Sequence, residues 1–85
     1  MLYMVFERFK NGPEPIRQRF AEKGRMLPEG LAYLDSWVEK DGDRCFQLME
    51  TNDPSLFQVW FAHWKDLAAM EFVELGEKPK APAAI

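Results

Sequence analysis

Eighty-five residues, 47% apolar and 14% aromatic, with a net charge of −3, make one small domain. A chain this short buries only about 60–65% of its unfolded surface, so it needs very efficient packing or a partner copy. One cysteine, Cys45, excludes an intrachain disulfide, and one histidine, His63, argues against a metal site within one chain. The negative balance argues against nucleic acid as a partner. Arg17, Arg19, Lys23 and Arg25 cluster on or just after one helix and read as a solvated face, with a phosphate patch as the alternative. No apolar run approaches the roughly 20 residues that span a membrane. No signal peptide is expected before the first strand, and a lone thiol fits the cytoplasm.

The opening MLYMVFERF reads as a strand. Its alternation sets Leu2, Met4, Phe6 and Arg8 on one face and Met1, Tyr3, Val5, Glu7 and Phe9 on the other. Asn11-Gly12-Pro13 stops it. PEPIRQRFAEKG is a helix, with Pro13 and Pro15 at its start and Gly24 as its C-terminal cap. RMLPEG is a loop. Leu31–Glu39 and RCFQLME form a hairpin around Asp41-Gly42. Asn52 or Asp53 caps a second helix over PSLFQVWFAHWKDL, whose apolar arc holds Leu56, Phe57, Trp60, Phe61, Trp64 and Leu67. AMEFVEL is the last strand. The expected domain is 1–75, with a disordered tail over 76–85.

The order β-α-β-β-α-β predicts an α+β, ferredoxin-like fold with a four-stranded antiparallel sheet. Two right-handed crossovers put both helices on one face and make the first and third strands central. The other face carries large side chains with nothing to cover them. The simplest cover is a second copy, giving a homodimer through the sheet faces, a dimeric α+β barrel.

ERFKNG, RFAEKGRMLPEGLAYLDSWV, DRCFQLMETNDPSLFQVW and W-K-D-L resemble an uncharacterised bacterial family, the domain-of-unknown-function family 3303. The resemblance implies small proteins sharing the dimeric α+β barrel. That wider superfamily includes small monooxygenases, haem-dependent enzymes, isomerases and stress proteins. It assigns no residue a role, and fold alone does not give function.

Candidate sites are few. Cys45, in a central strand, reads as a small buried thiol, with a nucleophile served by His63 as the sharper alternative. His63 stands at the edge of the aromatic arc, either half in solvent or turned inward as a ligand or acid–base group. Trp60 and Trp64 are core residues that can also wall a pocket for a flat molecule. Carboxylates read as lying in turns or at strand ends, except Asp35, for which Arg44 or Arg8 would be the partner. Met26 and Arg25 belong to a loop that either plugs the core or covers a ligand. The expected ligand-binding residues are therefore His63, Trp60, Trp64, Arg25 and Met26, between the second helix and the sheet. No cofactor or metal is called for. Two functions stay open: a binding or structural domain with a modest apolar pocket, and a cofactor-free enzyme of monooxygenase or isomerase type.

Overall fold

The computed structural model describes residues 1–78. Its elements are β1 Leu2–Phe9, α1 Pro13–Lys23, β2 Leu31–Val38, β3 Arg44–Thr51, α2 Leu56–Phe61 and β4 Ala68–Glu74. The strands form one antiparallel sheet in the order β2-β3-β1-β4, so β1 and β3 are central, as expected. The order and sheet are those of a ferredoxin-like α+β fold. Most of the expected tail lies outside the described residues.

The period of two in β1 sorts its side chains. Tyr3, Val5 and Glu7 are buried under the helices, and Leu2 and Phe6 are exposed on the other face. The register carries this sorting across the sheet. Met49 and Gln47 of β3 stand opposite Tyr3 and Val5, whereas Leu48 and Phe46 stand opposite Met4 and Phe6. Tyr3, Val5 and Met49 pack with Phe57, Trp60 and Trp64 to form the core. The expected arc of the second helix is thus the face that meets the sheet.

Three local features differ from expectation. The second helix, expected over 54–67, is helical only over Leu56–Phe61. Beyond it the chain tightens into turns, with the amides of His63, Trp64 and Leu67 bonding to carbonyls three residues back. The tighter winding still carries Trp64 into the core before β4 begins.

The second difference is a β-bulge. Tyr33 pairs with Met49 and Asp35 with Leu48, leaving Leu34 as an extra residue in β2. Tyr33 and Ser36, three apart, therefore share a face, and their hydroxyls meet at 2.7 Å. Asp35 is exposed and, among the described residues, accepts only from the Ser36 amide, at 2.9 Å. Arg44, one of its two expected partners, pairs with Glu39 instead, and Arg8 makes no ion pair with Asp35 among the described residues.

The third difference concerns α1: Ile16 and Phe20 fall on one apolar stripe of its sequence, yet the helix buries no residue fully. Ile16 reaches the core only partly, and Phe20 is 46% exposed. What fixes the helix is polar. Arg19 donates two hydrogen bonds to the Asp66 carboxylate, at 2.7 and 2.8 Å, and one to the His63 carbonyl at 2.9 Å. A helix held at its rim leaves space beneath it.

The sorting of β3 has a direct check. Met49 is fully buried, so Met49→Ala is expected to cost about 2–5 kcal/mol in urea unfolding. A cost under about 1 kcal/mol would place Met49 outside a close-packed core.

Candidate functional site

The space beneath α1 is a cavity of about 190 Å³. Its walls are apolar, with Ile16 and Phe20 from α1, Trp60 and Trp64 from the opposite side, and Phe9 and Val38 from the sheet. Its floor is polar. Glu7 of β1 and Gln47 of β3 project from the helix-facing side of the central strands, both about 5% exposed. Arg25 reaches in from the loop after α1.

The loop is positioned by its backbone. Gly24 ends α1 at φ +69°, where a side chain would be strained, and its N–H bonds to the Phe20 carbonyl at 2.8 Å. Met26 also has positive φ, at 60°, which costs energy in a non-glycine residue. Between them the Arg25 carbonyl turns toward α2. It accepts the indole N–H of Trp60 at 2.9 Å and that of Trp64 at 3.1 Å. Both buried indoles are satisfied by one main-chain oxygen.

The Arg25 side chain is held separately. Its guanidinium carbon lies 3.6 Å from the Tyr33 ring centroid and 5.2 Å from that of Phe20. The β2 bulge fixes that Tyr33 ring by bonding its hydroxyl to Ser36. Arg25 Nε donates to Gln47 Oε1 at 3.3 Å, and Gln47 Nε2 donates to Glu7 Oε1 at 2.9 Å. A cation and a carboxylate are thus joined through one amide rather than in direct contact. Glu7 Oε2 accepts no hydrogen bond among the described residues, is not sealed from solvent, and belongs to a side chain that lines the cavity.

Burial pushes the Glu7 carboxyl above its usual 4.5, against the opposing pull of the Gln47 hydrogen bond and the Arg25 charge. Cys45, also in the wall, is pushed up to about 11, first by burial and then by the Glu7 charge. Such a thiol is protonated at neutral pH and unreactive. The Asp66 carboxyl outside the cavity is held down to about 2, chiefly by its hydrogen bonds from Arg19.

Of the residues expected to bind a ligand, the structure brings Arg25, Trp60 and Trp64 together around the cavity. Met26 packs against the core instead. His63 is exposed and outside the cavity wall; its main chain is engaged, its carbonyl by Arg19 and its amide by the Trp60 carbonyl, but its ring makes no hydrogen bond among the described residues. The space lies beneath α1, with α2 supplying one wall. Glu7 and Gln47 were not among the expected residues. Their signal was in the alternation: Glu7 shares a face with Tyr3 and Val5, and Gln47 with Cys45 and Met49. A charged and an amide side chain on core-facing positions mark either a burial defect or a site.

The family model for a domain of unknown function, DUF3303, matches residues 1–76. The chain belongs to this family. Comparison with curated proteins gives no match, and comparison with solved structures gives none. No helix among the described residues is long and apolar enough to cross a membrane, and no cluster of His, Cys, Asp or Glu among them has the grouping of a metal site.

The buried carboxyl has a signature in stability. Glu7 holds its proton more tightly folded than unfolded, so its contribution is intact at low pH. It is lost as pH rises from the ordinary carboxyl range through the higher folded value. Glu7→Gln keeps the shape and the acceptor for Gln47 but not the titration. The variant is expected to melt above wild type at pH 7, with the gap closing toward pH 4. A variant that melts lower at pH 7 would show the carboxylate to be a net stabiliser.

Proposed function

We propose that the chain is a small-molecule-binding domain that works as a homodimer in the cytoplasm, with one pocket in each copy. The observation that carries the binding reading is the cavity beneath α1, apolar in its walls and lined at its floor by Glu7, Gln47 and Arg25. Ligand sites combine mostly apolar surface with a few convergent polar groups in this way. The size suits a single ring with small substituents, since a cavity of about 150 Å³ accepts benzene. Trp60, Trp64 and Arg25 are its binding residues. His63 stands outside and Met26 supports the loop.

The dimer reading rests on the opposite face of the sheet. Met4, Phe6, Trp37, Phe46, Leu48 and Val73 share that face through the register. Trp37 is 52% exposed and Phe6 39%, and Phe6 and Phe46 meet edge to face at 5.8 Å. An apolar patch of this kind, edged by Asp35 and Glu71 in the same register, is a binding surface. A second copy presents the same face, and packing the two sheets leaves both cavities open on the outside. A cofactor-free enzyme of monooxygenase or isomerase type is the second reading, favoured by the open oxygen of the buried Glu7.

Sedimentation at micromolar concentration is expected to give twice the 10.0 kDa chain mass. Phe6→Asp should give a folded monomer with an unchanged far-ultraviolet circular dichroism spectrum. A wild-type protein that stays monomeric overturns the dimer. For the pocket, titration with phenol should shift the indole N–H resonances of Trp60 and Trp64 and leave that of Trp37 in place. Uniform or absent shifts would remove the pocket reading.

A further inference from the structure

The polar floor of the cavity is an unusual thing for so small a core to hold. An isolated carboxylate in apolar surroundings is costly, and a direct ion pair is the ordinary remedy. Here the remedy is withheld. Gln47 stands between Arg25 and Glu7 and bonds to both, so opposite charges share one cavity without closing on each other. Each keeps an unused edge: neither Glu7 Oε2 nor either Nη group of Arg25 makes a hydrogen bond among the described residues, and both side chains line the cavity. The Arg25 plane is also fixed, held near Tyr33 and Phe20.

A base with an open oxygen and a fixed cation one amide away, walled by aromatic side chains, match the two ends of one reaction. Proton abstraction beside a carbonyl needs a base for the proton and a positive group for the oxygen that gains charge. We infer that Glu7 and Arg25 form a proton-transfer centre for a small cyclic ketone, Glu7 taking a proton from the carbon next to the carbonyl and Arg25 holding the enolate oxygen. This rests on the pocket reading above and gives its ligand class.

The step balances without any other reactant. Glu7 Oε2 takes the proton, and the C–H electron pair becomes the enolate double bond. The carbonyl π pair moves to oxygen, where it faces the guanidinium. In a β,γ-unsaturated ketone the proton then returns from Glu7 to the γ-carbon. The carbonyl re-forms, the conjugated enone leaves, and Glu7 is again a carboxylate. Burial suits the side chain to this role, because a base works best when its proton affinity is raised toward the working pH. The other charged or titratable side chains at the cavity are Arg25 from the loop, Arg17 from α1 and Cys45 from β3.

The test uses the full chain with cyclohex-3-en-1-one as substrate and phenol, a ring bearing one oxygen, as a stand-in for the enolate. Formation of the conjugated enone is followed by its ultraviolet absorption, and deuterium uptake from D₂O by NMR. The wild type is expected to exceed the rate of an equal concentration of free acetate. Glu7→Gln should lose about 10²–10⁴-fold, the usual worth of a positioned acid–base group, while still binding phenol. Arg25→Gln should lose turnover and weaken phenol, with the Trp60 and Trp64 indole resonances unmoved, because those indoles bond to the Arg25 main chain. Phenol binding and displacement by the ketone, with turnover no faster than acetate or unchanged in Glu7→Gln, overturns the proton-transfer centre and leaves the pocket standing. No binding of either molecule overturns both.

Discussion

Two indole N–H groups converge on one carbonyl oxygen, that of Arg25, and the site depends on this meeting. Trp60 lies in α2 and Trp64 in the turns that follow, while Arg25 lies just past the end of α1. These two bonds join the halves of the helical layer at one point. They satisfy two large side chains that would otherwise bury an unpaired donor each. They also set the loop so that the Arg25 side chain leaves its backbone toward the sheet. The left-handed conformations at Gly24 and Met26 are the local cost of that path.

What the carbonyl does for the loop, the β2 bulge does for the side chain. One extra residue at Leu34 brings Tyr33 and Ser36 to the same face, and the Tyr33 ring lies against the guanidinium. The central strands supply the rest through ordinary alternation, which carries Glu7 and Gln47 inward beside Val5 and Met49. α1 then spans the space without filling it. Its polar attachment is at the rim, through Arg19 to Asp66 and to the main chain at His63, and Ile16 adds a partial apolar contact. A more apolar α1 would close the cavity and stabilise the fold. The weak apolar grip of α1 and the buried carboxylate are two costs at one place, which is what the binding reading expects.

The fold was legible because its signals are local. Strand alternation in β1, the Asp41-Gly42 turn, Gly24 at the end of α1 and the aromatic arc of α2 each carry their own physical reason, and they agree with one another. The site was legible only in part. Arg25, Trp60 and Trp64 stand out as residue types, and they do meet. Glu7 lies near the end of β1, where a carboxylate is usually solvated, so its place in the strand hides it, yet its face is the buried one. Asp35 drew attention for the opposite reason, since a mid-strand carboxylate looks buried until a bulge turns it to solvent. The bulge follows from pairing between strands, and the loss of helix after Phe61 from the need to reach β4. Neither is written in a single segment.

The candidate site depends on a carboxyl group at the floor of this cavity, out of water and within the field of Arg25. Carbon-13 NMR titration of the Glu7 side-chain carboxyl measures this directly. The expected midpoint lies above the usual 4.5 and rises further when Arg25 is replaced by Met, because the guanidinium favours the charged form. A midpoint at the ordinary glutamate value, unmoved by that substitution, would place Glu7 in solvent and contradict it.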